Sequence, residues 1–148
     1  MIPSHYLLCL LLLCATGTAQ ASNLIPLESW NERNPGWQQS DLDFAYVLTR
    51  CGALSFSIGL FLQNNPSDAS SFNLARSYVR RGSTISLKAI PLYRKNQVSM
   101  EFIDQRTKAL MTAYYELMQE KFIFNNRLHN SLISSDVNFC RIVEPDSS

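Results

Sequence analysis

The sequence predicts an all-α fold, a small antiparallel helical bundle of three long helices and a short C-terminal helix, stapled by one disulfide. Three observations carry this expectation. Apolar residues recur at three- and four-residue spacing through most of the chain. No alternating apolar and polar run bounded by hairpin turns occurs, so a sheet is not expected. An even cysteine pair, Cys51 and Cys140, remains once an N-terminal leader is set aside.

Residues 1–21 read as that leader. Leu7 to Ala15 form an apolar core, and Ala19-Gln20-Ala21 places small residues where a signal peptidase cuts, so cleavage is expected after Ala21. No Lys or Arg precedes the core, which leaves the α-amino group as its positive end. Residues 7–15 are too short to span a bilayer, which takes about 20 apolar residues. Leu precedes both Cys9 and Cys14, where lipid attachment calls for small residues. The expected location is therefore periplasmic or extracellular, in an oxidising compartment.

Residues 22–39 form an N-terminal arm with Pro26, a turn at Asn34-Pro35-Gly36, and two tryptophans. Trp30 and Trp37 are expected to pack the arm onto the body, and they are also its candidate partner contacts. The bundle domain spans 40–143. Its first helix starts at Ser40, a capping residue followed by Asp41 and Asp43 at the positive end of the helix dipole. The run 44–62 is apolar nearly all round, as a central bundle helix should be, and Pro66 stops it. Arg50 interrupts this run and must reach the surface at its tip or pair with a carboxylate.

The second helix starts at Ser67-Asp68, with Phe72, Ala75, Tyr78, Val79, Gly82, Ile85, Ala89 and Tyr93 on its inner side. Gly82-Ser83-Thr84 is a point where it could bend, and Pro91 is expected to kink or end it. Ser99 caps a third helix running to about Leu128. Its inward stripe is Ile103, Leu110, Tyr114, Leu117 and Met118, widened by Phe102, Ala109 and Ala113. A fourth helix is expected to begin at Ser134 or Ser135 and to turn Val137, Cys140 and Val143 inward. Residues 144–148 are a loose polar tail.

The expected Cys51–Cys140 bridge closes 89 positions and ties the short last helix to the middle of the first. In plan, an exported bundle with this cysteine pair is similar to small periplasmic helical chaperones carrying one disulfide. The long span of the bridge and the longer helices depart from that group, and no site residue is carried over from it.

Catalytic and metal-binding chemistry find little support. His129 is the one histidine outside the leader, and it sits in a polar helix end with no G-x-S-x-G elbow in the chain. Four Cys or His ligands for structural zinc are missing, as are C-x-x-C-H and Glu-x-x-His pairs. Met100, Met111 or Met118 could join His129 on a haem, but methionines on a helix stripe are ordinary core residues. No cofactor or metal is expected. Glu116 and Glu120 share a face and could serve an exported hydrolase, although Lys121 and Arg127 nearby make a solvated charged face the simpler reading.

Charge is the uneven feature. The chain carries +1 overall, yet residues 76–108 carry +6, against −3 for 22–75 and −2 for 109–148. Arg76, Arg80, Arg81 and Lys88 therefore form a candidate surface for an anionic partner, either a protein or an envelope component. Nucleic acid is not expected of an exported chain with a sequence pI of about 7.7. The expected function is partner binding without catalysis. The competing reading is a membrane-associated envelope protein, with helix 44–62 inserted or helix 68–95 lying on anionic lipid.

Overall fold

The computed structural model describes residues 24–66, 69–125 and 131–143. The expected leader, the Ser67-Asp68 helix start, His129, the helix end near Leu128 and the tail 144–148 lie outside the described residues. Within them the chain is a helical bundle: α1 (Leu27–Arg33), a 3₁₀ turn (Trp37–Gln39), α2 (Asp41–Asn64), α3 (Ala69–Lys95), α4 (Met100–Asn125) and α5 (Ser131–Val143). The three long helices and the short C-terminal one are those the sequence predicts. The arm adds a short helix of its own, opened by Pro26, whose fixed φ suits a helix start.

Helix α2 is the hub. It is buried along almost its whole length, and α3 and α4 both pack on it. Ser40 caps it by accepting a hydrogen bond from the Asp43 amide at 3.3 Å. At its far end the Asn65 amide and side chain both bond to the Phe61 carbonyl before Pro66. Lys95 forms an ion pair with Asp41 at 2.6 Å, and this hydrogen bond holds the Asp41 carboxyl below its ordinary value.

Helix α3 runs antiparallel to α2, since Gly52 faces Gly82 and Ser86 while Gly59 faces Ala75 and Val79. The seam is built from small residues that bring the two backbones together. A Cβ at Gly59 would lie 2.9 Å from the Ala75 carbonyl oxygen and 2.7 Å from Val79. Gly82 is therefore a contact point against Phe56, and the helix is continuous through Ser83 and Thr84. Pro91 does not end α3, which continues to Lys95. Pro91 is exposed, so the carbonyl that loses its amide partner can turn to water. Phe72 also departs from expectation. Ala75, Gly82, Ile85 and Ala89 form the line toward α2, and Phe72 is rotated off it into solvent.

A turn with Val98 N bonded to Tyr93 O leads into α4, where Ser99 accepts the Phe102 amide at 3.2 Å. Helix α4 follows the direction of α2, as Arg106 lies by Tyr46 and Tyr115 by Phe61. Its buried stripe is Ile103, Leu110, Ala113, Tyr114 and Met118. Phe102 and Ala109, expected to widen it, are exposed because α4 packs chiefly on α2 and buries a narrow stripe there. Helix α5 starts three residues before the expected cap at Ser134, and the Ser135 hydroxyl is buried within it without a hydrogen-bond partner.

The Cys51–Cys140 disulfide is present, with the two Cα atoms 5.6 Å apart and both residues buried. It clamps α5 to the middle of α2. A disulfide of this span is consistent with an exported protein.

Two outcomes follow from this packing. Cys51 and Cys140 of natively purified protein should resist thiol alkylation, and the Cys51→Ala/Cys140→Ala double variant should lose about 4–5 kcal/mol in urea denaturation on the chain-entropy account. In the same assay Gly59→Ala should destabilise by about 1–3 kcal/mol, because Ala75 backbone cannot yield. Gly52→Ala should cost less, since its nearest neighbour is the rotatable Ser86 hydroxyl.

Candidate functional site

Three features could carry function: the outer face of α3, a cleft beneath the arm, and a charge cluster inside the bundle. The outer face arises from composition and length. Helix α3 has 27 residues, among them six Lys or Arg and no Asp or Glu. With its small residues turned to α2, the cations are driven to the other side. Arg76 and Arg80 are exposed there, whereas exposed Lys88 and half-buried Arg81, seven residues apart, share a flank of the helix. The Arg76 guanidinium is steadied by Asn73, whose side-chain oxygen accepts at 2.7 Å. The four predicted basic residues thus share one helix but not one face: Arg76 and Arg80 lie on the outer side, Arg81 and Lys88 on a flank.

The two tryptophans of the arm are used differently. Trp37 is core: it packs between Trp30, Phe44 and Phe139, and its indole N–H donates to Asn31 at 2.6 Å. Trp30 is half-buried against Tyr46 and lines an open cleft of about 450 Å³. Tyr46, Tyr93, Phe102, Asp43 and Arg106 are among the residues of its walls. Arg106 stacks over the Tyr46 ring at 4.6 Å and near the Phe102 ring at 5.8 Å. The cleft is thus a mixed wall of aromatic rings with one cation already seated on it.

The cluster inside the bundle centres on Arg50, which does not reach the surface and is 1% exposed. Its Nη2 meets Asp136 Oδ2 at 2.7 Å and also donates to the Ile25 carbonyl. Its Nε donates to the Tyr114 hydroxyl at 2.7 Å, and Nη1 to the Tyr46 hydroxyl at 3.3 Å. Tyr114 in turn donates to Asp136, whose other oxygen accepts the Leu27 amide at 2.6 Å. Three helices, α2, α4 and α5, and the arm therefore meet on one ion pair. Burial alone would lower the Arg50 pKa, but Tyr114, Asp136 and Tyr46 outweigh it and hold the guanidinium above its ordinary value. Burial, followed by the Asp136 charge, pushes the Tyr114 hydroxyl well above the ordinary tyrosine range.

This cluster is sealed and fully engaged, which makes it an anchor with no room for substrate. Glu116 and Glu120 lie exposed one turn apart on α4, and neither lines the cleft. Arg127, suggested as their partner, lies outside the described residues. Among the described residues, no group of three or more His, Cys, Asp or Glu could hold a metal ion.

Sequence reasoning missed Asp136, Tyr114 as a polar partner, and Arg106. One signal was available for Asp136. It is the only acidic residue of α5 and sits one turn before Cys140, while Arg50 precedes Cys51 directly. Bridging the cysteines therefore brings the two charges together as well. Comparison with known proteins finds no matching family model, no matching curated protein and no matching solved structure.

Tyr114→Phe tests the inner cluster. At neutral pH it should cost about 1–3 kcal/mol, from the hydrogen bonds withdrawn from Arg50 and Asp136. The alkaline limb gives a separate signature. The native state keeps the Tyr114 proton where the unfolded chain releases it, so this contribution is complete below the ordinary tyrosine value of 10.0 and is lost as pH rises above it. In the Phe variant, stability measured by urea denaturation should fall less steeply above that pH, by about 1.4 kcal/mol per pH unit.

Proposed function

We propose that this chain is an exported, non-catalytic binding protein that engages an anionic partner through the outer face of α3. The leader is removed after Ala21, and the mature bundle acts in the periplasm or outside the cell. The observation that carries the reading is a long exposed helix face with several cations and no carboxylate in the helix to neutralise them through i,i+4 pairing. Such a face sets up a sustained positive potential, which attracts and orients an anionic surface. The disulfide and the buried ion pair support it by holding the scaffold rigid, so binding costs little ordering of the backbone.

Retention on a sulfonate matrix should fall steeply as salt rises, since exposed charges are screened within about 10 Å at 0.1 M ionic strength. Arg76→Glu/Arg80→Glu should abolish that retention without changing the far-ultraviolet circular dichroism, because both residues are exposed. Retention equal to that of the unaltered protein would remove the proposal.

A further inference from the structure

Along the outer face of α3 one line of residues runs Phe72, Arg76, Arg80, Ser83, Leu87 and Arg94, and each of them is exposed. Their spacing of four, four, three, four and seven keeps them on a single stripe, about 33 Å long at 1.5 Å per residue. The stripe lies opposite the line Ala75, Gly82, Ile85 and Ala89 that α2 covers. Two of its members are large and apolar: Phe72 is 47% exposed and Leu87 is 64% exposed. A soluble polyanion has no use for these, since arginines alone satisfy its charge. An anionic bilayer surface uses both, with guanidinium groups at the phosphates and apolar side chains at the acyl boundary.

We propose that this stripe docks the folded protein flat on an anionic phospholipid surface, with Arg76, Arg80 and Arg94 at the headgroups and Phe72 and Leu87 entering the interface. The inference rests on the anionic-partner reading and names its partner. Docking of this kind needs no opening of the bundle, because the stripe is already displayed. Helix α2 is by length and composition apolar enough to cross a membrane, but 78% of its most apolar window is buried within the fold. The contact is therefore made by α3 at the surface.

Sedimentation with vesicles separates the possibilities. The protein should pellet with vesicles of phosphatidylglycerol mixed into phosphatidylcholine and stay in solution with phosphatidylcholine alone. Neutralising one stripe arginine, as Arg80→Gln, should weaken binding about fivefold. Phe72→Ser/Leu87→Ser should weaken vesicle binding about tenfold or more while leaving retention on the sulfonate matrix intact. Leu74 is a control: it is 50% exposed on the same helix but lies off the stripe, so Leu74→Ser should bind vesicles like the unaltered protein.

Matrix retention without vesicle binding would overturn the lipid assignment and leave the anionic-partner reading standing. Equal loss in Leu74→Ser would also overturn it, since the stripe would then have no special part. Loss of both kinds of binding from the unaltered protein would overturn the two together.

Discussion

The ion pair between Arg50 and Asp136 ties α2, α4, α5 and the arm together at one point. A guanidinium in the middle of the central helix is out of reach of water, and an unpaired charge there would cost several kcal/mol. It can remain only if a carboxylate is delivered to it, and that carboxylate arrives on α5, the shortest of the bundle helices in the domain after the arm. The remaining lone pairs and protons are met by Tyr46 one turn away on α2, by Tyr114 from α4, and by Ile25 and Leu27 from the arm. Replacing such a pair by apolar residues is often neutral or stabilising, so its contribution is best understood as specificity. Only one register of α5 on α2 satisfies Arg50, and only one path of the arm satisfies Asp136.

The disulfide lies one residue from this pair on α2 and one turn from it on α5, and acts on the same contact by a different route. The bond restricts the unfolded chain, whereas the ion pair penalises misdocked compact states. Together they compensate for the small apolar surface that a 13-residue helix can bury by itself. The arm benefits in turn, because Trp37 closes against Phe139 on the clamped helix. A short helix, a tryptophan-bearing arm and a polar cluster are thus stabilised as one unit, and the long helices are left to set the outer surface.

Most of the fold was legible in the sequence because its determinants are local. Periodicity, the Ser40 and Ser99 caps, Pro66 and the cysteine pair each act within a turn or through the single covalent link. What was not legible depends on which side of a helix a neighbour chooses. Phe72 has the hydrophobicity of a core residue, but the glycine seam of α2 and α3 selects small residues for the contact and leaves the ring outside. Phe102 fails in the same manner, since α4 packs chiefly on α2 and has a narrow buried stripe. Of the candidate site residues, Arg76 and Arg80 are exposed on the outer side of α3, and Arg81 and Lys88 lie on a flank, because one residue's shift along a helix rotates a side chain by about 100°. Trp37 packs the arm onto the body, the use expected of it.

The same buried pair bears on how such a protein meets a membrane. Insertion of α2 would carry Arg50 into the hydrocarbon at about 2.5–3.5 kcal/mol on insertion scales. The disulfide would force α5 and Asp136 to follow or would have to break first. It would also strip the small-residue seam from α3, exposing backbone that now packs within van der Waals distance. Surface docking incurs none of these costs. It leaves the ion pair, the bridge and the seam as they are, and uses only side chains that already face water. The physics that makes the core of this bundle rigid therefore favours an encounter through its outermost helix face.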